Sequence, residues 1–280
     1  MKPRYLVLSG TLVIAASVFG AMSARALNPP LQATVMQTAP IPESEVPQNI
    51  KDAVNAPERP AADKALDEGR KPEQWLALFG IKPGMKVADM FAGGGYTTEL
   101  LSRAVGPTGT VYSQNGPFPE KFKKIGDAWH ARLKNLKNVV EVDKPFTAPD
   151  LFGVPPDTLD AVIIHLNYHD MVGFKIDTSK VNAAVFAALK PGGVYGIVDH
   201  SAKPGTGAQD ASTLHRIDEQ FVINQVEEAG FELVGESSAL RHPEDDRSWY
   251  VFAHRGETDR FILKFEKPGN SSDPHPGSKK

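Results

Sequence analysis

The sequence predicts a doubly wound, mostly parallel α/β sheet with an antiparallel C-terminal strand. Three observations predict it. Apolar runs alternate with helix-like stretches from residue 63 to residue 268. The middle runs, such as "AVII" and "VYGIV", are continuously apolar, as expected of parallel strands buried on both faces. A glycine triplet directly follows one apolar run and opens a helical pattern, the order found in sheets that take ligands at the carboxyl ends of their strands.

The elements follow in order. "DKALDEGRKPEQWLALFGI" contains helix, with Pro72 at a first helical position, where its missing N–H costs nothing. "MKVADMFA" is a strand, and "YTTELLSRAV" is a helix stopped by Gly106-Pro107. "GTVYSQN" is a strand, "PEKFKKIGDAWHARLKNL" a helix, and "NVVEVDK" and "LDAVIIHLNY" are strands. "DTSKVNAAVFAAL" is a helix ended by "KPGG", "GGVYGIVDHS" a strand, and "DEQFVINQVEEAGF" a helix. "FELVGESSAL" and "DRFILKFEKP" are strands with no helix between them, so at least one runs antiparallel.

Composition narrows the function. The 280 residues are 41% hydrophobic and 23% charged, with a formal net charge of -3, which argues against a nucleic-acid partner. With no cysteine there is no disulfide, thiolate nucleophile or Cys-ligated zinc. Lys2 and Arg4, a long apolar run and Ala24-Arg25-Ala26 read as a signal peptide over 1–26. Cleavage after Ala26 would deliver a periplasmic chain without stable membrane insertion. The alternative is an inner-membrane anchor facing the periplasm. Residues 27–59, rich in Pro, Ala, Gln and Glu, read as a flexible lead-in, 60–268 as the α/β domain, and 269–280 as a disordered tail.

Three stretches carry candidate chemistry. In "ADMFAGGGYTTELL", Gly93, Gly94 and Gly95 let the backbone approach a ligand, the next helix points its N–H groups at it, and Asp89 can order the turn. Thr98 stands where a dinucleotide fingerprint needs its last glycine. In "HLNYHDM", Asn167, Tyr168, His169 and Asp170 end an apolar strand. His169 can serve as a base, with Asp170 orienting it or capping the next helix. In "VDHSAKPGTGAQDASTLHRID", His200 and His215 are further bases on either side of a Gly-containing loop that can act as a lid. Arg216 can grip an anion or pair with Asp218. Trp249, Tyr250 and Phe252 can pack on the core, the leading reading, or wall a substrate pocket, and Arg260 can pair with an acid.

The stretch "GMKVADMFAGGGYTTELLSRAVGPTGTVYSQN" resembles the cofactor half of class I S-adenosylmethionine-dependent methyltransferases, a Rossmann-like fold. "NYHD", "LKPGGVYGIVDHSA", "HRID", "EEAGF" and "TDRFILKFEKP" resemble a narrower group, predicted proteobacterial methyltransferases that often carry a signal peptide. The resemblance implies S-adenosyl-L-methionine as cofactor and a small-molecule substrate. It implies that the methionine moiety lies over Asp89, Ala92, Gly93 and Gly95. Gln114 and Asn115 replace the usual ribose-binding acid, and Asp143 stands where the adenine amino group is contacted. Asn167 joins the cofactor set. Tyr168, His169, Asp170, His200 and His215 form the catalytic set, with Tyr168 on the substrate wall. The alternative is an exported protein of this fold that binds a metal or solute without methyl transfer. In a competing assignment, His169, Asp170, Asp199, His200 and His215 converge on a divalent transition metal. No pair among these five has the H-x-x-x-H spacing, and the leading reading assigns no metal.

Overall fold

The structure, a computed structural model, describes residues 37–269. The signal segment and residues 270–280 of the predicted tail lie outside the described residues. Along the chain run β1 (Gln37–Thr38), α1 (Gln48–Asn55), α2 (Ala61–Lys64), α3 (Asp67–Arg70), α4 (Pro72–Leu78), β2 (Lys86–Met90), α5 (Tyr96–Val105) and β3 (Thr110–Asn115). There follow α6 (Lys123–Leu133), β4 (Val139–Asp143), β5 (Leu159–His165), α7 (Tyr168–Gly173), α8 (Thr178–Ala188), β6 (Leu189–His200), α9 (Glu219–Glu228), β7 (Glu232–Ser237) and β8 (Arg260–Glu266).

The strands form one sheet in the order β1-β7-β8-β6-β5-β2-β3-β4. Every pairing is parallel except those of β8, which runs antiparallel between β6 and β7. The single reversed strand follows from the missing helix between β7 and β8. From β2 the chain winds outward through β3 and β4, returns to β5 beside β2, and winds the other way through β6. The crevice between β2 and β5 is therefore the switch point, where ligands of open α/β sheets are held. Among the described residues no helix is long and apolar enough to cross a membrane.

Both faces of the sheet are covered. Trp75, Leu100, Leu101, Val87, Ile163 and Val198 fill one side, under α1, α4 and α5. Met90, Ile164, Val185, Ile197, Val226 and Phe261 fill the other, under α7, α8 and α9. One expectation is corrected. Residues 37–59, read as flexible lead-in, carry β1 and α1. Ile50, Ala53 and Val54 are buried at helical spacing, and Asn49 Nδ2 donates to the carbonyls of Ile81 and Ala104.

Candidate active site

The turn between β2 and α5 has left-handed φ at Phe91 (57°), Gly93 (54°) and Gly95 (84°). Glycine adopts such values without strain; an L residue pays about 1–2 kcal/mol. Phe91 is held there by Phe146, with ring centroids 4.6 Å apart, and by its N–H donating to Gln114 Oε1 at 3.2 Å. A Cβ on Gly93 or Gly94 would meet no atom within 4 Å, so this side of the turn lies open. A Cβ on Gly95 would lie 2.8 Å from Arg132 Cδ.

Below the turn runs a directed chain of hydrogen bonds. Trp129 Nε1–H donates to Ser113 Oγ at 2.8 Å, Ser113 lies 2.7 Å from Thr98 Oγ1, and Thr98 donates to Asp89. Asp89 is 1% exposed. Burial pushes its carboxyl up to about 7, against the opposing pull of the Thr98 hydroxyl and N–H.

The ribose expectation for Gln114 and Asn115 is corrected. Both are buried, and their amides are spent on backbone. Gln114 Nε2 donates to Lys144 O at 2.9 Å. Asn115 Oδ1 accepts from Gly93 N at 3.0 Å and Asn115 Nδ2 donates to Gly93 O at 3.3 Å. They clamp the glycine turn. Asp143 ends the edge strand β4, exposed and outside the cavity lining. Asn167 lines the cavity and ties the two strand-end turns, its Nδ2 donating to Phe91 O and His165 O.

The cavity between these turns has a volume of about 810 Å³. Asp89, Ala92, Gly93 and Gly94 line one end, and His169, Asp170 and His200 line it beyond β5 and β6. His169 is 2% exposed. Its Nδ1 lies 2.6 Å from Asp199 Oδ1, and its backbone N–H donates to Asp199 Oδ2 at 2.7 Å. Burial works to lower the pKa of His169, but the Asp199 charge and hydrogen bond outweigh it, and the net direction is up. Burial, with the nearby positive charge of His169, holds His200 well below the ordinary histidine value. Its Nδ1 lies 2.9 Å from Thr258 Oγ1. Asp199, not Asp170, is thus the acid that orients His169. Asp170 instead faces His215 Nδ1 at 3.1 Å.

Tyr168 is corrected as a wall residue. It is fully buried in the core, where its hydroxyl accepts from Asn182 Nδ2 at 3.0 Å and donates to Gln225 Oε1 at 3.3 Å. Of the five groups in the competing metal assignment, His169, Asp170 and His215 bring ligand atoms within 4.8 Å of one another. Asp199 stands behind His169, and His200 turns its Nδ1 to Thr258.

Arg216 is buried, paired with Asp245 at 2.8 Å and bonded to the carbonyls of Ser201 and Trp249. Asp218 caps α9. Neither lines the cavity described above. The expected lid, the loop between His200 and His215, supplies no lining residue, nor does His215, and the loop is tied down by Gly205 N–H and Gly207 N–H donating to Asp218 Oδ2. Phe252 lines the cavity, the alternative to its leading core reading.

The sequence reading missed the basic wall. Arg70 and Arg260, 190 positions apart, both line the cavity. Among the described residues Arg260 forms no ion pair with an acid. It donates to the carbonyls of Gly69, Thr258 and Gly256, and burial brings its pKa down to about 10. The Arg70 guanidinium lies 4.3 Å over the Tyr96 ring and makes no hydrogen bond among the described residues.

The fold is that of the class I S-adenosylmethionine-dependent methyltransferases. A S-adenosylmethionine-dependent methyltransferase from Aquifex aeolicus matches with a TM-score of 0.51 at 23% identity, over 75% of this chain and 98% of that one. An arsenic(III) S-adenosylmethionine methyltransferase from Chlamydomonas reinhardtii matches with a TM-score of 0.52 at 16% identity, over 82% of this chain and 76% of that one. Among curated proteins, the ubiquinone/menaquinone biosynthesis C-methyltransferase UbiE of Pasteurella multocida is 28% identical over 163 residues, 58% of this chain and 55% of the relative. The chain thus spans little more than half the length of that relative. No family model matches the chain.

Proposed function

We propose that the chain is an S-adenosylmethionine-dependent methyltransferase acting on a small molecule. The observation that carries this reading is the cavity at the switch point, with an open glycine turn at one end and an aspartate-oriented histidine at the other. Its volume of about 810 Å³ suits a cofactor and a small acceptor together. The similarity to UbiE and the shared fold support the same reading.

The residues present fit the cofactor. The open side of Gly93 and Gly94 would receive its methionine backbone, and the Arg70 guanidinium, which lines the cavity and makes no hydrogen bond among the described residues, would grip its carboxylate. When bound, S-adenosylmethionine supplies an electrophilic methyl carbon on a sulfonium. The protein's main work is alignment, which alone lowers such a barrier by several kcal/mol. Phe91, Tyr96 and Phe252 give the cavity apolar surface that excludes water. His169 Nε2 is the basic atom at the acceptor end, because Asp199 holds the other ring nitrogen.

The motifs "NYHD" and "HRID" support membership of the exported proteobacterial group, and the signal segment supports a periplasmic address. A second reading, binding of a metal or solute without methyl transfer, is favoured by one observation: Gln114 and Asn115 are occupied by the turn and supply no ribose carboxylate. Titration calorimetry with S-adenosylmethionine separates the two. Micromolar binding that disappears in Gly95→Val supports the methyltransferase; no binding, or equal binding by the variant, sinks it.

A further inference from the structure

Three ligand-type atoms meet at the acceptor end. His169 Nε2 lies 3.2 Å from His215 Nδ1 and 3.5 Å from Asp170 Oδ1, and His215 Nδ1 lies 3.1 Å from Asp170 Oδ1. Donor atoms about 2.1 Å from an ion are about 3.0 Å apart at right angles and about 3.4 Å apart at tetrahedral angles. The three edges of this triangle fit three neighbouring positions around one ion.

The supports are in place. The carboxylate behind His169 is the arrangement that orients metal-bound imidazoles. His215 is held at φ 57°, a costly conformation for an L residue, with its ring against Tyr250 and Phe252. His169 and Asp170 line the cavity, which leaves room for a further ligand.

We infer that His169, Asp170 and His215 bind one divalent first-row transition ion whose open positions face the cavity. Two imidazoles and one carboxylate suit such ions. An anionic oxygen or sulfur of the acceptor would fill an open position. With the ion bound, His169 Nε2 is a ligand, and the ion takes over the work of lowering the acceptor's pKa. Ion binding at this triangle does not depend on the methyl donor.

The test uses the full chain, stripped by chelation and titrated calorimetrically with Zn²⁺ and, separately, Mn²⁺, without S-adenosylmethionine. One equivalent of at least one ion is expected to bind. His215→Ala and Asp170→Asn should each weaken binding by about a hundredfold. His130→Ala, at a half-buried histidine beside Glu141, should bind as the parent does. Circular dichroism checks the fold of each variant, and the isosteric Asp170→Asn carries the test if His215→Ala does not fold. Absence of ion binding, or parental binding by the folded ligand variants, overturns the inference. Ion binding without S-adenosylmethionine binding would leave this site standing and defeat the methyltransferase reading; the reverse would do the opposite.

Discussion

Asp89 and Asp199 end two parallel strands of one sheet, and both are essentially inaccessible, at 1% and 0% exposure. Their partners differ. Asp89 meets the neutral Thr98, its hydroxyl and its N–H, and burial pushes its carboxyl up to about 7. Asp199 meets two backbone N–H groups, of His169 and His200, and an imidazole that can carry charge. A buried carboxylate beside a group that can become cationic raises that group's pKa, as it does for His169. The first aspartate builds a turn; the second makes a neighbour basic.

Removing Asp199 should have the largest effect on stability. Asp199→Ala strips the acceptor from His169 Nδ1 and from two backbone N–H groups, and should cost about 3–5 kcal/mol in urea unfolding. A loss below about 1 kcal/mol would break the contrast between the two acids.

Next comes the pH dependence due to Asp89. Its carboxyl titrates at about 7 when folded, against an ordinary 3.8. Between those values the native state keeps a proton that the unfolded chain has lost, so this group's contribution to stability falls as pH rises from about 4 to about 7 and is level above. The fall is at most about 4 kcal/mol, at about 1.4 kcal/mol per pH unit. Asp89→Asn should lack it, so its urea midpoint should gain on the parent's between pH 5 and 8. Parallel curves would show that Asp89 is ionised throughout.

Thr98→Val should cost less, about 1–3 kcal/mol, because it removes the one hydroxyl linking Asp89 to Ser113. His215→Gly should change stability least. It should leave stability unchanged or raise it by up to about 1 kcal/mol, since glycine accepts φ 57° freely. A loss of more than about 2 kcal/mol would make His215 a structural residue.

Most of the fold was legible because buried parallel strands are written as apolar runs and glycine marks the helix ends. The expected helix over 96–105 coincides with α5. Helix α1 was missed because its three apolar positions sit among prolines and polar residues, and it is held by packing under α5 rather than by propensity. The site was legible as a set of residue types at strand ends. Its pairings were not, because they join distant positions. Asn115 reaches back 22 residues to Gly93, and His169 reaches 30 residues to Asp199. Tyr168 points inward because α7 begins there and turns positions 168 and 171 into the core. Arg70 carried no local signal, since the cavity that gives it meaning is assembled from both halves of the chain.

The most direct test is a crystal structure of the chain with S-adenosylhomocysteine. The amino-acid moiety is expected over Gly93 and Gly94, with its carboxylate on Arg70 and its sulfur facing the His169 end of the cavity. Density for the ligand elsewhere, or an empty cavity at saturating ligand, would contradict it.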